Sequence, residues 1–381
     1  MTEASSNPLL NQTHLLDFAH ITADCVTPAM KELLSKASAT VSRVTDPETP
    51  ATWDSVVEPL DRSCNRLSRA WGAVGHLMGV MDSPELRAAY NENLPAVTAF
   101  YISLSQNEAL FGKYKAIAAS SDFAELDPVK RRLIEHEIRD FRLSGADLPQ
   151  DKKARMKEVG ERCAAVSQKF SENLLDATNA FTLDIRDKSD LAGIPDDILA
   201  LYRSEAEAAG IEGWRLTLQY PSYIPAMQYC ENRSIRETLY RAFSTRASEF
   251  GPAERDNTPL IEELLELRAR EAALLDMRCY ADLSLATKMA KDPEQVVSFL
   301  RDLARRSKPW AVKDQSELAQ FAREELGIDE LKPWDQSFAS DRLREKRYAY
   351  SEQEVRRYFT LPQVFKGLFS LVEGMFDIRI S

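Results

Sequence analysis

Only four histidines occur in this chain of 381 residues, His14, His20, His76 and His136, and their spacing limits the metal chemistry open to it. Two imidazoles on a helix grip one zinc ion when they stand four residues apart on the same face. His14 and His20 are six apart, and H-E-x-x-H occurs nowhere. His136-Glu137-Ile138-Arg139-Asp140 imitates that motif, with an aspartate in place of the second histidine. Its Lys/Arg/Glu-rich surroundings read more simply as a solvated helix face, so no metal ligand is assigned. Nucleophilic catalysis has no better footing: G-x-S-x-G is absent, and Ser144-Gly145 has the composition of a turn. Phosphate-cradling glycine loops are missing as well, so no catalytic residue is assigned. One pair remains. Arg236 and Tyr240 share a helix face through their four-residue spacing, and a guanidinium can hold a carboxylate with two hydrogen bonds. A buried ion pair that fixes helix packing is the commoner use of such an arginine.

The elements that would position such groups are mostly helical. Val159, Cys163, Val166, Phe170 and Leu174 recur at steps of three and four, and so do Leu260, Leu264, Leu267, Glu271 and Leu274, with Glu271 the polar interruption. Asp127-Pro128 and Asp292-Pro293-Glu294-Gln295 supply a capping carboxylate with proline at the first helical position. The second of these opens the stripe Val296, Leu300, Leu303. Two segments alternate instead, 181–185 and 214–220, and are expected to pair as a small antiparallel element. Phe376 to Ile380 also alternates and reads as a strand. The fold class expected is mainly α, a multi-helix protein carrying one small β element.

Bulk properties exclude several classes. With 44% hydrophobic and 29% charged residues, the chain is globular rather than disordered. Its net charge of −11 repels phosphate backbones and anionic lipid, which argues against nucleic-acid and membrane partners. Five cysteines, none in C-x-x-C spacing, read as free thiols of a reducing compartment. Met1 to Gln12 has neither the basic nor the apolar stretch of a secretory signal. A cytoplasmic location is expected.

Longer blocks carry a resemblance. Pro221-Ser222-Tyr223, Arg236-Glu237 with Tyr240, Arg246, Gly251-Pro252 and Asn257-Thr258 follow one another in order. Leu264-Leu265, Tyr280-Ala281 and Lys288-Met289-Ala290 continue the series, and Leu143-Ser144-Gly145, Pro333-Trp334-Asp335 and Arg357-Tyr358-Phe359 extend it on both sides. Together these blocks resemble the thimet oligopeptidase/oligopeptidase A family of zinc metallopeptidases, the bacterial oligopeptidase A branch most closely. The resemblance implies the N-terminal portion of an enzyme that hydrolyses short peptides in a deep channel, with zinc held by an H-E-x-x-H helix downstream of these blocks. Residues 1–12, at the terminus, read as a mobile tail; the resemblance implies a helical channel wall at 13–180 and then the start of the catalytic domain at 181–381, cut before the zinc motif. Short peptides and a missing C-terminal catalytic portion are the partners it implies. Zinc is then expected in the complete family member but not in this chain, which is expected to be inactive alone. Arg236, Tyr240, Arg246 and Lys288 are the residues through which peptide would be held. The alternative is a non-catalytic helical scaffold or peptide-binding protein that has lost its catalytic half.

Overall fold

Apolar side chains three and four residues apart settle most of the chain into amphipathic helices. The computed structural model describes residues 7–11, 15–349 and 351–380. Among these are fifteen α-helices and one two-stranded antiparallel sheet, a mainly-α fold of the expected class. The residues group into two units. One takes the chain up to Glu172 together with Thr258–Val296, and the other takes Asn173–Asn257 with the residues from Val297 onward. The linear order 13–180 then 181–381 contains no such return of 258–296 to the first unit.

In the first unit, helices Ala23–Val44, Glu58–Val80 and Pro84–Ser105 bury Val26, Met30, Leu67 and Val74 against one another. Leu9 joins that core with no exposed surface, and Asn7 Nδ2 donates to the Cys25 carbonyl at 2.7 Å. Residues 1–6 and 12 of the expected tail lie outside the described residues. At 7–10 an apolar Leu-Leu pair is packed, so the chain is anchored from Asn7. A second cluster joins Leu110, Phe111 and Tyr114 of helix Glu108–Ala118 to Ile134 and Phe141 of helix Pro128–Leu143. Asp127 caps the latter, accepting from Val129 and Lys130 N–H at 2.9 and 3.0 Å.

The two apolar stripes meet each other. Val159 and Val166 of helix Gln150–Ala180 pack with Leu267 of helix Thr258–Leu274, with Cys163, Leu260 and Leu264 around them. A bidentate Arg162–Glu263 pair closes the rim at 2.5 and 2.8 Å. Glu271 is half-buried in its own stripe, and desolvation holds its carboxyl above the usual range. Asp292 and Gln295 cap helix Pro293–Leu326 as expected, Gln295 N–H donating to Asp292 at 2.7 Å and Lys291 N–H to Gln295 at 2.8 Å. The stripe that follows is not core: Leu300 and Leu303 are half exposed.

In the second unit, β1 (Thr182–Ile185) pairs antiparallel with β2 (Trp214–Thr217), Leu183 opposite Leu216 and Ile185 opposite Trp214. A cross-strand Arg215–Asp184 pair at 2.7 and 2.9 Å fixes the register on the exposed side. Gly213 turns into β2 at φ +112°, and a Cβ there would stand 2.2 Å from the Ile185 carbonyl oxygen, so only glycine fits. β2 stops at Thr217 rather than running to 220. Thr217 N–H goes to Ser222 Oγ at 2.9 Å, and Pro221 opens helix Tyr220–Tyr229.

The strand expected at 376–380 is not formed. Phe376 closes helix Leu361–Phe376, Asp377 turns left-handed at φ +51°, and Ile380 N–H donates to Glu373 at 3.0 Å. Five alternating residues make a strand only beside a partner strand. The preceding apolar residues, Leu361, Phe365, Leu368 and Val372, recur at helical steps and set the local conformation. Leu361, Phe365, Leu368 and Phe376 are all exposed.

Candidate functional site

Helix Arg233–Ser244 carries two of the four residues singled out in the sequence. Asn232 caps it through Ser234 N–H at 3.1 Å, and its buried face presents Ile235, Arg236 and Leu239. Arg236 is 1% exposed. Its guanidinium donates to Asp335 at 2.9 Å, to the carbonyls of Cys230 and Glu231 at 2.6 and 3.1 Å, and to that of Trp334 at 3.2 Å. It lies over the Phe338 ring at 4.2 Å. Of the two uses left open for this arginine, the structure has the buried ion pair, with the guanidinium turned away from solvent.

Asp335 is the centre of that knot. It has no exposed surface and also receives Arg233, at 2.7 Å from Nη2 and 3.0 Å from Nε, and the Lys332 N–H at 3.0 Å. Burial pushes its carboxyl up, but the hydrogen bonds from Arg233, Lys332 and Arg236 outweigh it, and the pKa lies below the ordinary aspartate value. Sequence reading held Pro333-Trp334-Asp335 only as a block. The one signal in the sequence was the Arg233/Arg236 pair at i, i+3, which asks for an acid that only the fold can bring.

Tyr240 is partly exposed one turn on, its ring tilted 6.1 Å from Trp334. Arg246 stands in a different setting. Its guanidinium lies 3.6 Å over the Phe243 ring and donates to Thr178 Oγ1 and the Phe243 carbonyl, both at 2.9 Å. Phe243 in turn stacks on Tyr223 at 4.1 Å and meets the edge of Tyr220 at 5.9 Å. Desolvation lowers the Arg246 pKa, with Tyr220 and Tyr223 acting the other way. Its remaining N–H groups have no acceptor among the described residues, and the side chain is only half covered. Ala247 follows at φ +48°, and its carbonyl accepts from Asn257 N–H at 3.1 Å, which ties the loop down.

Thr178 connects this aromatic and cationic shelf to a cavity of about 490 Å³ lined also by Asn179, Thr182, Glu205, Gln219 and Ser222. Tyr202 OH donates to the Ser222 carbonyl at 2.7 Å from inside the core, which holds the Pro221-Ser222-Tyr223 block in place. The shelf and the cavity together offer hydrogen-bond donors, acceptors and a half-free guanidinium. That set suits a peptide backbone or carboxylate. Lys288 belongs to the other unit, is exposed, and donates to Ser284 Oγ at 2.6 Å.

A zinc ion finds no holder in these residues. Among the described residues no three His, Cys, Asp or Glu side chains come together as a metal-binding group. His20 and His76 are exposed on separate helices, His136 is half-buried with Nε2 unpartnered, and His14 lies outside the described residues. The donor set present does not fit the metal. All five cysteines are free thiols, and burial pushes Cys64 up to about 11. Among the described residues no helix is long and apolar enough to cross a membrane.

With the two units and the aromatic and cationic shelf described, comparison with known proteins gives the class. Residues 226–381 match Peptidase family M3, and residues 30–153 match the Neurolysin/Thimet oligopeptidase N-terminal domain. The chain belongs to the thimet oligopeptidase/oligopeptidase A family. Oligopeptidase A of Haemophilus influenzae is 40% identical over 98% of this chain and 55% of its own length. Oligopeptidase A of Escherichia coli is 39% identical over 98% of this chain and 55% of its own. The probable cytosolic oligopeptidase A of Arabidopsis thaliana is 39% identical over 99% and 54%. The chain therefore spans about half the length of the curated relatives it matches.

Proposed function

We propose that these residues form the N-terminal, channel-lining portion of an oligopeptidase A-like zinc endopeptidase that hydrolyses short peptides when complete. The observation that carries this reading is the pattern of coverage: similarity over 98% of the chain to relatives of which it spans 55%. The zinc ligands and the general base then belong to sequence that these residues do not include, in keeping with the lack of H-E-x-x-H in them. In this reading Arg246 holds peptide carbonyl or carboxylate groups, because its guanidinium keeps donors that no described residue accepts and has a partly open face. Tyr240, partly exposed on the same unit, contributes a further contact, and Lys288, exposed on the other unit, is a separate candidate contact. Arg236 serves by holding Asp335, and with it the turn at Trp334. The cytosolic relative supports a cytoplasmic location.

The test joins this chain to the C-terminal remainder of an oligopeptidase A relative and follows a quenched fluorogenic peptide with and without zinc. Zinc-dependent cleavage, absent from either part alone, is expected. A well-folded fusion that binds zinc but cleaves no peptide overturns the reading and leaves the non-catalytic peptide-binding scaffold.

A further inference from the structure

Within the first unit, a cavity of about 390 Å³ opens beside helix Pro128–Leu143, and none of the residues discussed above as peptide-facing lines it. Leu60, Ile102, Leu110 and Phe141 make most of its wall apolar. Two polar groups on that wall are unused by the protein. Tyr101 OH is buried and has no hydrogen-bond partner among the described residues. The Glu137 carboxyl has neither a hydrogen bond nor an ion pair among the described residues, although it is half covered. Buried polar groups are normally partnered, and an orphan hydroxyl beside a free carboxyl in an apolar recess is the arrangement of a ligand pocket.

The sign of the ligand follows from the surrounding charge. Asp61 and Asp140 flank Glu137, and Arg139, the cation beside it, is already held by Asp140 at 2.7 and 3.1 Å. Burial first, then Asp140 and Asp61, push the Glu137 carboxyl above its usual range, against the pull of Arg139. Burial likewise raises Tyr101 to about 12, so its hydroxyl stays protonated. An arriving cation would relieve Glu137 and Asp61, neither of which has a cation partner among the described residues, whereas an anion would meet both. We infer that this cavity binds a small organic ammonium with an apolar body, its N–H groups donating to Glu137 and Tyr101 and its hydrocarbon against Leu60, Ile102, Leu110 and Phe141.

The test uses 2-phenylethylammonium, with 2-phenylethanol and 3-phenylpropionate as neutral and anionic counterparts of the same bulk. Titration calorimetry on the whole chain should show saturable binding of the ammonium, weaker binding of the alcohol and none of the carboxylate. Glu137→Gln, which keeps the shape and removes the charge, should weaken the ammonium about tenfold, the scale of one charge-assisted hydrogen bond, and leave the alcohol unchanged. A methyl NMR spectrum read in parallel should show the Ile102 δ1 resonance moving as the ammonium saturates, a localisation that needs no variant. Equal binding of ammonium and carboxylate, no saturable binding of the ammonium, undiminished binding by Glu137→Gln, or a stationary Ile102 methyl would each overturn the inference.

Discussion

Arg236 Nη2 lies 2.9 Å from Asp335 Oδ1, 99 positions apart in the chain and with neither side chain open to solvent. A buried pair is not a large net stabiliser, because desolvation offsets much of the attraction. Removing one partner is another matter. Asp335→Ala leaves two arginines facing an uncharged hole, one of them fully buried, and should cost about 3–5 kcal/mol. Urea unfolding of the variant against the unsubstituted chain measures it, and a loss under about 1 kcal/mol would mean water reaches Arg236.

The same carboxylate gives an acid signature. Its folded pKa is depressed, so the stability it contributes is fully present above its unfolded value of about 3.9 and is lost as pH falls through the folded value. The stability gap between the unsubstituted chain and Asp335→Asn should be constant near neutrality and narrow below about pH 4. A gap unchanged down to pH 2 would contradict the depressed pKa.

Gly213→Ala should destabilise by at least about 1–3 kcal/mol, the usual cost of a strained backbone residue. The φ of +112° disfavours any side chain, and the added Cβ meets a carbonyl oxygen of β1 rather than a yielding side-chain tip. Thermal unfolding reads the change. Gly210→Ala is the control for the left-handed term alone, since at φ +69° nothing lies within 4 Å of its added Cβ.

Exposed apolar residues on helix Leu361–Phe376 should make the chain self-associate as its concentration rises. Leu361, Val364, Phe365, Leu368 and Met375 each show over a third of their surface. Sedimentation velocity across a concentration series should show this, and Phe365→Glu with Leu368→Glu should suppress it while leaving circular dichroism unchanged. A chain that stays monodisperse at high concentration goes against the prediction.

In the fusion proposed above, Arg246→Ala should raise KM about tenfold with little change in kcat, the pattern of lost uniform binding. Arg236→Ala should instead lower the yield of folded protein. A fall confined to kcat for Arg246→Ala would move that residue from holding peptide to acting on the transition state.

The amino-acid sequence by itself determined what short-range physics controls. Stripes such as Val159 to Val166 and Leu260 to Leu267 fixed helices, because their period is local, and Asp127 and Asp292 fixed two of the starts. Alternation fixed the pairing partners of the small sheet, though not its end, where Ser222 takes the Thr217 N–H. The family, too, was legible in ordered blocks. Alternation misled at Phe376 to Ile380, since a strand needs a neighbour that the residues alone do not supply. What only the tertiary structure decided was the use of each charged group. The i, i+4 spacing of Arg236 and Tyr240 put both on one face, but whether that face met solvent or Asp335 depended on a segment 99 residues away. Arg246 was no more conspicuous than its neighbours until Phe243 and Thr178 bound half its donors and left the rest. Burial and partner are properties of long-range contacts, and for a guanidinium they separate one locked into packing from one with donors to spare.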